Sequence, residues 1–366
     1  MHSALRWAKP GFLLLVALSP ILLVTRFETP ESTSLRAADD APVNSKLPEN
    51  SESLARADKA VSKKTEVQGE TPIGPKWWPS RWGADDQRGA ANMMTPERVL
   101  EATKLITTGK TYQLGRVYER DMPTFPFRTF RLTIPAFRAP TKGSNQQVGR
   151  DEFFVGEIGQ MGTQMDGLGH VGCRLPTGDT YYNGITSAEM EDAYGLTKLG
   201  IENVGVFFTR GVLIDVVGMR KVERLPVGYE ISLDELQSAL AAQNTEIRKG
   251  DVVLIRTGHG TLWKKDNETF NSGEPGIGLE AAKWLISQEI TMVGSDNWGI
   301  EVDPPPNKQR PIEVHQWFLT KNGIYFLENL DLEQLAADKA YEFAFIFSPL
   351  RLKGATGSPG NPIAVK

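Results

Sequence analysis

The sequence offers few side chains able to carry proton transfer or metal chemistry at neutral pH. Histidines stand only at positions 2, 170, 259 and 315, and Cys173 is the sole cysteine. A single cysteine excludes an intrachain disulfide and any Cys-rich zinc or iron–sulfur site. Attention falls on the segment 160–171, QMGTQMDGLGHV, where Gln160, Gln164, Asp166 and His170 recur among glycines. An acid and an imidazole four residues apart converge on one site if the segment is a turn entering a helix. Aspartate can then bind a metal or orient a base, and histidine can carry protons. On spacing alone, an ordinary hydrogen-bonded glycine-rich loop accounts for the same pattern.

Other candidates are weaker. His259, in IRTGHG, ends a strand beside two glycines and reads as a polar loop residue or a pocket residue. Asp296 and Asn297 also end a strand, where they either line a pocket or cap structure. Trp298 and Trp317 either stack an aromatic substrate or belong to the core. Cys173 reads as a buried, inert thiol, since no histidine other than His170 lies close enough in sequence to activate it. Residues 276–281, GIGLEA, fit a dinucleotide fingerprint in spacing, with Asp296 downstream. The fingerprint requires a strand directly before the first glycine. The preceding TFNSGEP is polar and broken by Pro275, so a loop entering a helix is expected instead.

These residues must be positioned by a mixed set of elements. Helical spacing marks 95–106, 279–288 and 315–323, the last stopped by Gly323. Ser232 and Glu235 form a capping box for a helix over 232–243. Apolar, β-branched runs predict strands at 204–208, 210–216, 252–258, 290–296, 324–328 and 341–347. The order is mixed rather than strictly alternating, which favours an α/β layered domain over a simple doubly wound sheet.

Organisation along the chain follows composition. Residues 1–26 carry Arg6 and Lys9 before an apolar run, 11–24, and read as a signal peptide or an N-terminal membrane anchor. Either reading predicts export to a periplasmic or extracellular location, with membrane contact only through this segment. Residues 27–76 contain no aromatic after Phe27 and are rich in Glu, Ser, Lys and Pro, as expected of a disordered linker. Order is expected from Trp77, giving a single large domain over 77–366. The balance of 41 basic against 45 acidic residues leaves a net charge of −4. No basic excess points to a nucleic-acid partner.

The glycine-rich segment GTQMDGLGH resembles a variant of the H-x-G-T-H-x-D-x-P-x-H motif of the cyclase family. That family contains kynurenine-formamidase-like and isatin-hydrolase-like metal-dependent amidohydrolases. WGADDQRGAANMMTPERVLEATKLI, RGVLIDV, GDVVLIRTG, VGSDNWGIEV, the His315 segment with GIYFLENLDL, and GATGSPGNP also resemble family segments and occur in the expected order. The resemblance spans residues 77–366 and is nearest to longer members with Gln in place of a motif histidine.

The resemblance implies a swivelling-type β/β/α layered domain and hydrolysis of a C–N bond in a small amide, aryl formamide or lactam. The activity would be arylformamidase-like, of the kind used in tryptophan catabolism. In the family's hydrolases the first two motif histidines and the aspartate hold a metal, with a later His and Glu near a second metal position. These map onto Gln160, Gln164 and Asp166, with His315 and Glu328 as the later pair. The final motif histidine, a proton carrier, maps onto His170. The implied cofactor is a divalent metal, Mn or Zn, left open because two motif histidines are Gln. A Gln carbonyl is a hard neutral donor, poorer for zinc than imidazole. Two alternatives stay open: a lapsed member that binds a small molecule, and a lactone or ester hydrolase on the same fold. The expected partners are a small-molecule substrate and further copies of the chain in a homo-oligomer.

Overall fold

The computed structural model describes residues 69–135, 144–147 and 149–366. The N-terminal segment 1–26 and residues 27–68 of the expected linker lie outside the described residues. No helix among the described residues is long and apolar enough to cross a membrane.

The centre is a nine-stranded sheet. Its strands in chain order are β1 (Thr111–Gln113), β2 (Gln164–Asp166), β3 (Phe207–Asp215), β4 (Val252–Arg256) and β5 (Met292–Ser295). They continue with β6 (Tyr325–Glu328), β7 (Glu342–Phe347), β8 (Gly357–Pro359) and β9 (Ile363–Val365). The spatial order is β8-β2-β6-β5-β4-β3-β7-β9-β1. The four inner strands β3, β4, β5 and β6 run parallel, and every other pairing is antiparallel. This is the α/β class expected from the sequence.

Parallel pairing at the centre explains the unbroken apolar runs. Leu213, Leu254 and Leu327 enter one core, while Val212, Ile214, Val253, Ile255 and Phe326 enter the other. Both faces are therefore buried, as parallel strands require. The second core is closed by α1 (Leu233–Ala242) and α2 (Leu279–Ser287), through Leu236, Leu240, Ala282 and Leu285. Each large side chain so buried contributes roughly 1.5–3 kcal/mol. The capping box of α1 is present, with Ser232 Oγ accepting from Glu235 N–H.

Three local expectations need correction. The two strands expected over 204–208 and 210–216 are one, β3. Its polar Thr209 does not break it, because the hydroxyl donates to Gly250 O at 3.0 Å. Arg210 lies 3.3 Å from the Asp251 carboxylate. The boundary expected at Trp77 falls earlier. Residues Glu70–Thr71 pair with Gly74–Pro75, and Ile73 is buried against Trp77, Cys173 and Leu175. Finally, the segment after Gln160 is a strand followed by a turn, His170 N–H donating to Gly167 O, and does not enter a helix.

Gly276 shows how tightly the site's surroundings are threaded. A Cβ there would lie 2.3 Å from Ile300 O and from the Glu301 carbonyl carbon, both backbone atoms. Only glycine lets the two chains pass so closely. Gly276→Ala is expected to destabilise the fold by about 1–3 kcal/mol, the usual cost of overpacking. Urea unfolding monitored by tryptophan fluorescence checks this, and an unchanged midpoint would contradict it.

Candidate functional site

Strand periodicity builds the site. Gln164 and Asp166 are two apart on β2, so both side chains leave the same face. The antiparallel register sets Asp166 opposite Phe326 and Gln164 opposite Glu328 on β6. Met165 and Leu327 turn the other way, into the core. The cross-strand pair is joined directly: Gln164 Nε2 donates to Glu328 Oε2 at 2.7 Å. Glu328 is 3% exposed, Asp166 1% and Gln164 4%.

His315 completes the cluster from the connection between β5 and β6. It ends the short helix Glu313–His315, which continues into the wider π-type turns of Gln316–Asn322 and is stopped by Gly323 at φ 62°. The ring meets Phe326 edge-on, centroids 4.5 Å apart. Its Nε2 stands 3.5 Å from Glu328 Oε1 and 4.0 Å from Asp166 Oδ2. Its Nδ1 is hydrogen-bonded to Glu301, whose Oε1 also accepts the His315 backbone N–H at 3.1 Å. Glu301 thereby turns Nε2 toward the two carboxylates. A carboxylate on the far nitrogen is the usual arrangement for a metal-ligating histidine.

Two further side chains reach Asp166. Gln160 Nε2 donates to Oδ1 at 3.0 Å, and His170 Nε2 lies 3.6 Å from Oδ2. His170 is the more open, with 26% of its side chain accessible. All these residues line one cavity of about 210 Å³, with Phe125, Trp298 and Arg128 on its walls.

Electrostatics favour a cation here. Burial and the Asp166 carboxylate push Glu328 up to about 8, against the pull of His315. Burial works against charge on His315, but Glu301 and Glu328 outweigh it and raise the ring to about 10. Glu274 lies in the same wall, fully buried, and is raised well above the carboxylate range by burial and by Glu328. Potential donor atoms of Asp166, His315 and Glu328 all lie within 4.8 Å of one another. Gln164 Oε1 is buried without a hydrogen-bond partner among the described residues. Two carboxylate oxygens, one imidazole nitrogen and an unclaimed amide oxygen fit a divalent ion of intermediate to hard character.

Of the residues singled out in the sequence, Gln160, Gln164, Asp166, His170, His315, Glu328 and Trp298 come together. Four suggested pocket residues do not. Asp296 is a structural cap, accepting from Thr257 N–H and Gly258 N–H at 2.8 Å each. Asn297 pins its own turn through Pro275 O and Ile300 N–H. His259 is buried, stacked on Phe270, with Nε2 3.1 Å from Phe270 O. Trp317 lies away from the cavity, flanked by Lys283 and Lys321. Cys173 is buried, and burial raises its thiol. Residues 276–281 enter the N-terminus of α2 as expected, but Gly276–Ile277 form a two-residue strand paired with Glu230–Ile231 rather than a plain loop. Glu301 and Glu274 were not evident from the sequence. Glu301 does lie in VGSDNWGIEV, one of the segments that carries the family resemblance.

The Cyclase family model matches residues 112–302, more than half of the chain. The chain belongs to the cyclase family. A crystal structure of a novel cyclase superposes with a TM-score of 0.70 at 37% identity, covering 78% of this chain and 98% of that one. Isatin hydrolase A from Ralstonia solanacearum shares the fold, with a TM-score of 0.52 at 20% identity over 74% of this chain and 98% of its own. Cyclase-like protein 3 of Oryza sativa subsp. japonica is 27% identical over 165 residues. That match covers 44% of this chain and spans 57% of the rice protein's length.

Both Glu328 and His315 are shifted upward, so the metal-free site holds protons at neutral pH that a cation must displace. Apparent Mn²⁺ affinity should therefore rise with pH through about 8, where Glu328 loses its proton, and on toward about 10, where His315 does. Binding should also release protons, read in calorimetry as a heat that depends on the buffer. Affinity independent of pH over that window would contradict the assignment.

Proposed function

We propose that this chain is a hydrolase of a C–N bond in a small amide, aryl formamide or lactam, working with a divalent metal held by Asp166, His315 and Glu328. One observation carries the reading: three buried potential metal donors converge on a cavity whose wall also holds an accessible histidine. The shared fold with isatin hydrolases supports the same reaction class. When bound, such an ion lowers the pKa of water and polarises a carbonyl.

The chain's own residues supply the rest. Glu301 fixes the His315 ring so that its free nitrogen faces the carboxylates. Gln164 holds Glu328, and Gln160 holds Asp166, so neither carboxylate can swing away. His170, beside Asp166 and open to the cavity, carries the proton from the attacking water to the leaving nitrogen. Asp166 keeps that ring turned inward. The aromatic wall of Trp298 and Phe125, centroids 5.1 Å apart and edge-on, suits a flat substrate.

A second reading rests on the same glutamines. Their amides already neighbour both carboxylates, and His315 lies between carboxylates on either side, so the cluster has internal partners without an ion. A small-molecule binding protein is the result on that reading.

Metal analysis and a screen of formamides, lactams and lactones separate the two. Asp166→Ala should lower metal occupancy. His170→Ala should retain the metal yet cut turnover roughly 10²–10⁴-fold, the scale of general acid–base catalysis. Wild-type protein that carries no metal, turns over none of these compounds and still binds a small aromatic ligand would decide for the binding protein.

A further inference from the structure

The charged side chains of the cavity wall are predominantly acidic. Asp166, Glu274, Glu301, Asp303 and Glu328 all face or flank it, and Arg128 is the only lysine or arginine among the described residues lining it. The guanidinium makes no hydrogen bond or ion pair with any described residue. Its Nε is buried without a partner among the described residues, and the guanidinium lies over the Phe127 ring, 5.3 Å from its centroid. Although it shares this lining with five carboxylates, it is ion-paired with none of them. Its position is set by the loop that carries it.

That loop is fastened at several points. Asn267 Nδ2 donates to Asp121 O at 2.9 Å, and Asn271 Nδ2 donates to Thr124 O at 3.1 Å. Phe125 packs edge-on against Trp298. Thr129 N–H donates to Glu157 Oε2 at 2.5 Å, and Glu157 N–H returns to Thr129 O at 3.2 Å. Glu157 O in turn accepts Gln160 N–H, so the loop is tied to the segment bearing the site. Arg128 is thus held at the cavity with no hydrogen-bond partner among the described residues.

We propose that Arg128 is a specificity-determining residue that receives a carboxylate carried on the ring of an aromatic amide or formamide substrate. The planar guanidinium presents parallel N–H groups that match a carboxylate bidentately. Arg128 is the one lysine or arginine among the described residues of this lining, and the other ionised groups available to a substrate anion are mostly carboxylates of like charge. The cavity, about 210 Å³, is small beside common ligand pockets of ~300–1,000 Å³, which favours single-ring compounds. This assignment rests on the hydrolase reading for the reacting bond, but not for the anion contact itself.

The test compares formanilide with its ring-carboxylated derivatives as substrates of the metal-loaded protein. Wild type should favour one carboxylated isomer, and Arg128→Gln should reduce the ratio of kcat/KM values, carboxylated over plain, roughly 10–100-fold. That is the scale of a lost hydrogen bond to a charged group. The loss should appear mainly in KM. Arg128→Lys keeps the charge without the fork and should give an intermediate ratio. An unchanged ratio in Arg128→Gln, or a wild-type preference for formanilide, overturns the proposal. If wild type turns over neither compound, the hydrolase reading fails while Arg128 is still decided by binding. Benzoate should then bind more tightly than benzamide by tryptophan fluorescence, with the preference lost in Arg128→Gln. Equal affinity for the two in wild type overturns the proposal.

Discussion

Asp166 and Glu328 are two carboxylates buried on neighbouring strands. Two like charges about 4 Å apart repel by on the order of 4 kcal/mol even at an effective dielectric of 20. Such a pair persists only with positive charge or protons between its members. His315 stands where that charge is needed, and Glu301 holds it there. The acidic partners outnumber this one imidazole, since Glu274 lies buried in the same wall. The remaining deficit is what a divalent cation would satisfy.

The fold serves this cluster by making its geometry hard to change. β2 is enclosed between β6 and β8, and its three residues are all buried. A one-residue slip against β6 would send Asp166 into the core and Met165 into the cavity, so the apolar pattern locks the register. His315 is placed by packing rather than by the sheet: its ring sits on Phe326, the residue directly opposite Asp166. Phe326 therefore connects the interior core to the distance between the imidazole and the carboxylate.

Much of this was legible in the sequence, for identifiable reasons. The inner strands announce themselves through continuous apolar runs, because both faces of a parallel sheet are buried. The grouping of Asp166 and His170 follows from their proximity along the chain, and His315 and Glu328 entered through the family resemblance. What the sequence could not show is which acids lie behind the site. Glu301 and Glu274 approach it through tertiary packing, with no periodicity to mark them. Asp296 and His259 mislead for the opposite reason. A polar or aromatic residue at a strand end looks the same whether it caps a turn or lines a pocket, and here Asp296 satisfies the backbone of a neighbouring strand end. The interruption expected near Thr209 was absent because a threonine hydroxyl can satisfy itself on an adjacent carbonyl, which sequence alone does not reveal.

As a cation site, rather than a self-contained ion pair, the Asp166–His315–Glu328 cluster should hold a divalent ion. Mn²⁺ titration followed by electron paramagnetic resonance tests it most directly, because free and bound ion give different signals. One tight site per chain is expected in the wild type, lost when Glu328 is changed to Gln in a variant that still folds. Absence of a tight site in the wild type, or one that survives Glu328→Gln undiminished, would contradict it.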